Sequence, residues 1–332
     1  MAKRKNWSKD PWQPTLAFQE LLDGKSGNDF NGLGETEPRQ PDRVFWVQPS
    51  SDGPFGPVQD CIVERHNTVP ELLAVYANAD RGPSERSEPG KLAEPRSTTA
   101  WTDGLQEFAL ANESDQVGVA TIEPQWMYEG FTTEMPFVVV LVVAMDHSRS
   151  RELPPSNEHP DWAHEVAVQY NRGSRAARKL TKWIKSQGYQ AKSHTGPWVG
   201  SMNLIPAAIA AGVGELGKHG SLINRELGSS FRLAAVETDL PLEVNQPDRF
   251  GADEFCLGCQ VCTNACPPQA ISQEKQQVRG DEKWYVDFDK CIGYFNETYG
   301  CAICISVCPW STPGRAPNLA ERWTKRIIVK GQ

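Results

Sequence analysis

Eight of the nine cysteines in this chain fall between Cys256 and Cys308. Cys256-Leu-Gly-Cys259-Gln-Val-Cys262-Thr-Asn-Ala-Cys266-Pro267 has the spacing C-x2-C-x2-C-x3-C-P. In that run three thiolates take corners of one [4Fe–4S] cube and the fourth reaches across to a second. Cys301-Ala-Ile-Cys304-Ile-Ser-Val-Cys308-Pro309 repeats the ending, with Cys291 upstream. The crossover rule assigns Cys256, Cys259, Cys262 and Cys308 to one cluster, and Cys266, Cys291, Cys301 and Cys304 to the other. The proline after Cys266 and after Cys308 stops a helix so that the thiolate can turn to the neighbouring cube. Two structural zinc sites are the alternative, and the full run with its doubled Cys-Pro argues against them. Cys61, the ninth cysteine, lies in a polar segment and reads as a free thiol without a role.

Two clusters point to electron transport rather than hydrolysis. A two-cluster module needs only about 60 residues, so the preceding chain must hold whatever the electrons reduce. With 332 residues, that chain is long enough for one large domain beside a smaller one. A net charge of −8 argues against broad nucleic-acid binding. The longest apolar run, Phe137–Met145, has nine residues. That is short of the roughly 20 a membrane span requires. The start, MAKRKNWSKDPW, is basic without an apolar stretch behind it. Together these predict a cytoplasmic chain without a transmembrane segment.

Several elements are legible. Residues 1–105 form a polar, Pro/Gly-rich N-terminal arm, with a surface loop over Arg81–Thr99, an apolar island at Val69–Val75 and order beginning near Gly104. Phe137–Met145 reads as a central strand buried on both faces. Asp161 caps a helix running to Ser186, with Trp162, Val166, Tyr170, Gly173, Ala177, Leu180 and Ile184 on one stripe and Gly188 as its stop. A strand at Tyr189–Lys192, a helix over Asn203–Ala211 and a strand at Phe231–Val236 follow. Gly212-Val-Gly214-Glu-Leu-Gly217 matches a GxGxxG string, but it follows a helix rather than a strand, so the dinucleotide reading is weak. The outline is α+β.

From Gly214-Glu-Leu-Gly-Lys-His-Gly-Ser-Leu-Ile223, through Phe231-Arg232 and Val236-Glu-Thr-Asp-Leu-Pro-Leu242, to the two cysteine runs and Trp310, the sequence resembles the corrinoid-dependent reductive dehalogenases and their sister family, the epoxyqueuosine reductases. The resemblance covers roughly residues 115–315. It implies a nitroreductase-like cobalamin-binding catalytic domain at 106–245, a two-[4Fe–4S] ferredoxin-like domain at 246–318 and a tail at 319–332. It also implies a corrinoid held base-off, with no protein histidine on cobalt. Electrons would pass from an outer cluster to an inner one and then to the corrinoid. The Ala- and Gly-rich run Ala207–Gly220 removes side-chain bulk, so backbone can approach a large flat ligand. Cobalamin contacts are expected within 196–224, with His194 lining the pocket. The candidates are His194, Gly196, Lys218, His219, Gly220, Leu222 and Arg225.

The two sister families differ in their acid. Where the epoxyqueuosine enzymes carry an Asp-Thr/Ser-x-Pro segment, this chain has His194-Thr-Gly-Pro197. The dehalogenases use a tyrosine donor supported by a cation, and Tyr170 and Arg232 stand in the matching segments. A tyrosine is a weak acid at neutral pH, and a neighbouring guanidinium stabilises the phenolate left behind. The ordinary readings are a core aromatic for Tyr170 and a structural ion pair for Arg232. Lys218 and Arg225 are lesser candidates for the cation. Trp126, Tyr128 and Phe131 suit either an aromatic pocket or packing, and His147 reads as a surface cap. The expectation is therefore a reductive dehalogenase acting on a small organohalide, most simply an aryl halide. It would use cobalamin and two [4Fe–4S] clusters, and an external donor (ferredoxin, flavodoxin or a ferredoxin reductase) would reduce it. The alternatives are an epoxyqueuosine-reductase-like or other corrinoid-dependent reductase, and a non-catalytic electron carrier or corrinoid-handling protein.

Overall fold

A computed structural model describes residues 11–79 and 88–330. Order begins well before Gly104, which corrects the sequence-based expectation. Leu16–Leu22 (α1), Gly27–Asn31 (α2), Gly56–Asn67 (α3) and Pro70–Ala77 (α4) are helical. The sequence hides them because their buried residues are scattered among polar ones and find partners far along the chain. Phe18, Val44, Phe55 and Val58 close over Ile292 of the cysteine module. Asp289 accepts from the Ser26 hydroxyl and the Gly27 N–H, both at 2.6 Å, and Asn296 donates to the Val58 carbonyl at 2.6 Å. The apolar island becomes α4, with Pro70 at its start and Leu72 buried. The basic start at 1–10 and residues 81–87 of the expected surface loop lie outside the described residues.

The central domain follows. Thr98–Ala111 forms α5, Gln116–Thr121 forms β1 and Phe137–Ala144 forms β2. Asp161–Ser186 is α6, Ala191–His194 is β3 and Leu204–Ala210 is α7. Glu215–Leu216 (β4) and Leu222–Ile223 (β5) make a hairpin, and Phe231–Thr238 is β6. The main sheet has the order β1-β2-β6-β3 and is antiparallel throughout. Side chains alternate across it. Val139 and Leu141 pack with Ala177 and Leu180 of α6, while Val138, Val140 and Val142 pack with Ala207 and Ala208 of α7. Helices thus cover both faces, which is why β2 is an unbroken apolar run.

Helix α6 has the expected bounds, but Pro160 occupies its N-cap and Asp161 its first turn. There the Asp161 charge faces the positive helix end. Gly188, at φ +90°, stops the helix. The following strand starts two residues later than expected, because Tyr189 packs edge-on against Trp101 at 5.5 Å and Gln190 N–H is taken by Asp239 at 2.7 Å. Asn203 caps α7.

In the cysteine module, Ala252–Gly258 is α8, Val261–Ala265 is α9, Gln276–Val278 and Asp281–Lys283 are the hairpin β7–β8, Phe288–Glu297 is α10, Ile303–Ser306 is α11 and Ala316–Lys330 is α12. Helices α9 and α11 end just before Cys266 and Cys308, each followed by proline. Among the described residues no helix is long and apolar enough to cross a membrane.

Candidate active site

A cavity of about 1470 Å³ lies between the main sheet domain, the N-terminal helices and the cysteine module. Helix α6 sends Tyr170 into it, and β6 sends Arg232. The Arg232 guanidinium carbon sits 5.3 Å from the Tyr170 ring centroid. Arg232 makes no ion pair among the described residues, and its Nε is buried without a hydrogen-bond partner. The structural ion pair considered for Arg232 is therefore not found. A smaller cavity of about 290 Å³ shares Tyr170, Arg232, Gly196 and Trp198 as walls and reaches His194 and Tyr128.

Gly196 backs directly onto Tyr170: a Cβ there would lie inside the tyrosine ring. Gly196→Ala should therefore shift the phenol and cost about 1–3 kcal/mol as overpacking. Thermal unfolding would report the destabilisation, and activity should fall well beyond it. Unchanged activity would show that the position of Tyr170 does not matter.

The other sequence candidates separate. His219 and Gly220 line the large cavity, whereas Lys218, Leu222 and Arg225 do not. Lys218 is 1% exposed and donates from Nζ to the Cys259 carbonyl at 2.9 Å. Arg225 is held by Asp248 at 2.7 and 2.5 Å and lies 5.1 Å over the Phe250 ring. Leu222 is core. His219 is buried, with Nε2 3.1 Å from the Ser229 hydroxyl and Nδ1 accepting from Ser221 N–H at 3.2 Å. Burial pushes its pKa down to about 4, so it is neutral. His194 is buried against Glu237, and Gly200 lies close to its Nδ1. The Glu237 carboxyl is held down at about 2: burial opposes ionisation, and His194 and Lys192 more than offset it.

Trp126 lines the large cavity and Tyr128 the small one, whereas Phe131 lies under Arg43, 4.7 Å from its guanidinium. His147 is no surface cap: Asp146 caps that turn, and His147 Nε2 reaches the Ser306 carbonyl at 3.2 Å. Trp46, His66, Tyr76 and Trp198 also line the large cavity, and no sequence motif marks them. Trp46 and Trp198 meet edge to face at 5.7 Å, and His66 Nδ1 lies 2.9 Å from the Tyr76 hydroxyl.

The cysteines gather in two sets. Burial, and then Cys308, Cys262 and Cys259, push the Cys256 thiol up to about 12. Burial, and then Cys301 and Cys266, push up Cys291. Cys304 feels Cys291 and Cys266 most among the other cysteines. Lys218 N–H donates to Cys256 Sγ at 3.5 Å, and Ala270 N–H to Cys266 Sγ at 3.3 Å. Such donors favour thiolates, which iron requires. Among the described residues no three His, Cys, Asp or Glu side chains converge on a single ion-sized point. Cys266, Cys291, Cys301 and Cys304 line the large cavity; the other four ligand candidates do not. Cys61 is free and half-buried on α3.

Residues 255–312 match the family described as a 4Fe-4S dicluster domain. The chain is 35% identical over 225 residues to the tetrachloroethene reductive dehalogenase of Dehalobacter restrictus, covering 63% of this chain and 38% of that protein. It is 32% identical over 177 residues to the epoxyqueuosine reductase of Salmonella typhimurium, covering 46% of this chain and 43% of that protein. Among solved structures, the catabolic reductive dehalogenase NpRdhA in complex with 3-bromo-4-hydroxybenzoic acid is similar with a TM-score of 0.63 and 25% identity, over 82% of this chain and 39% of that one. The chain thus spans about 38% of the length of the first of these relatives.

Proposed function

We propose that the chain is the corrinoid- and cluster-binding part of a reductive dehalogenase. The observation that carries this reading is one cavity faced by the Tyr170–Arg232 pair and by Cys266, Cys291, Cys301 and Cys304. A proton donor and an electron outlet thus open onto the same space. At about 1470 Å³, that space exceeds the roughly 300–1000 Å³ of ordinary small-molecule sites. A large cofactor together with a small substrate fits it. Gly220, at φ +75°, brings backbone to its wall without a side chain. The lining histidines His66 and His219 have both ring nitrogens engaged, which suits a corrinoid bound without a histidine ligand. The main sheet domain, taken as residues 106–245 with a nitroreductase-like fold, would hold the corrinoid beside Gly196, His219 and Gly220. Residues 246–318 would hold the two clusters.

When bound, the corrinoid supplies the cobalt-centred electrons that break the carbon–halogen bond. The chain's own residues do the rest. Tyr170 gives its hydroxyl proton to the carbon losing halide, and Arg232 stabilises the phenolate that remains. The balance is R–X + 2e⁻ + H⁺ → R–H + X⁻. Trp46, Trp126 and Trp198 offer flat apolar walls to an aryl ring and exclude water. The aryl class gains support from the bromohydroxybenzoic acid bound by the NpRdhA relative. Electrons come from an external donor of the ferredoxin, flavodoxin or ferredoxin-reductase type. They enter at the Cys256 set and leave through the set that faces the cavity. A cytoplasmic setting would suit eight cysteines proposed to bind iron–sulfur clusters.

The epoxyqueuosine-reductase reading has less behind it, because His194, at the acid's place, is engaged by Glu237. Methyl viologen-driven turnover of the reconstituted protein separates the readings. Halide release from a bromophenol is expected. Epoxide reduction without halide release would favour the sister activity, and neither would leave an electron carrier.

A further inference from the structure

Lys218 sits in the tight turn between β4 and β5, closed by Gly217 N–H to the Ser221 carbonyl at 2.9 Å. Its backbone N–H donates to Cys256 Sγ at 3.5 Å, and its Nζ donates to the Cys259 carbonyl at 2.9 Å. The ammonium lies 4.8 Å from the Trp284 ring centroid. The other cation near that ring, Lys275, is neutralised by Asp253 at 2.7 Å. Lys218 has no carboxylate partner among the described residues and is 1% exposed. A buried ammonium without a counter-charge is costly, so this one needs an anion beside it. A [4Fe–4S] core with four thiolates supplies that anion, and it gains a further negative charge on reduction.

We infer that Lys218 is the buried counter-charge of the Cys256–Cys259–Cys262–Cys308 cluster and raises its reduction potential, so that an incoming electron rests on the outer cluster. The inference rests on the two-cluster part of the proposed function, not on the identity of the substrate. A nearby positive charge favours whichever redox state is more negative, here the reduced one. Exposed Leu257 and Val261 adjoin the buried Cys256 and Cys262, so a donor could approach the module on that side.

The test is an EPR-monitored redox titration of the cluster-reconstituted 332-residue chain, without substrate. Lys218→Met keeps the apolar stem and removes the charge. One of the two cluster potentials should fall so that, at the wild-type midpoint, the reduced fraction drops at least tenfold relative to the oxidised. For a one-electron couple that is about 59 mV. The other potential should stay in place, and Lys218→Arg should restore the first. Two unchanged potentials with full iron content would overturn the inference. So would loss of iron from both the Met and the Arg variants, since that marks a structural role alone. Because no halide is measured, failure of the dehalogenase reading would leave this result interpretable.

Discussion

Tyr170→Phe is expected to lower dehalogenation by about 10²–10⁴-fold, the usual worth of a positioned acid, while cobalamin and both clusters still load. The ring and its packing remain and only the hydroxyl is lost, so thermal stability should change little. Arg232→Leu should produce a comparable loss, because the guanidinium 5.3 Å from the ring no longer stabilises the phenolate that proton donation leaves. The double variant should be little worse than either single one, since both residues serve one proton transfer. Single-turnover halide release in the four proteins checks this. Near-normal release from Tyr170→Phe would remove Tyr170 from the mechanism and make His194 the next acid to examine.

The second large effect concerns the crossover of the cysteine runs. Cys308 lies more than 40 residues beyond Cys262, yet its thiol is pushed up to about 12 by burial first and by Cys262 and Cys259 among its neighbours. Cys308→Ser should therefore damage the same cluster as Cys256→Ser, and the two variants should share one EPR signature. Each should lose about half of the iron and most donor-driven turnover, because the entry cluster is gone. If Cys308→Ser instead removed the cluster of Cys291, Cys301 and Cys304, the assignment would fall.

What the sequence could show follows from which interactions are local. The α6 stripe and the Val-rich β2 were legible because helix and strand periodicity is written in neighbouring residues. The cysteine spacing carried the module for the same reason. The N-terminal helices were not legible: the core of Phe18, Val44, Phe55 and Val58 is completed by Ile292, Phe288 and Phe295, more than 200 residues away. His66, Tyr76 and Trp46 reach the cavity from that hidden region, so no motif could have marked them. Lys218 and Arg225 show the opposite limit. Both lie in the segment expected to touch cobalamin, but the β4–β5 turn sends one toward Cys259, and Asp248 holds the other. A segment can be placed from sequence, whereas the direction of each side chain depends on a backbone turn and on distant partners.

Central to the proposed function is one cavity that would join a corrinoid, a tyrosine donor and an iron–sulfur outlet. Iron and cobalt analysis of the chain, reconstituted anaerobically with hydroxocobalamin and freed of excess cofactor, tests it most directly. About eight iron atoms per chain are expected together with one cobalt, and weaker cobalt retention in a variant that fills the cavity at Gly220. Iron without cobalt would leave two clusters facing an empty function, and two zinc ions without iron would contradict the module itself.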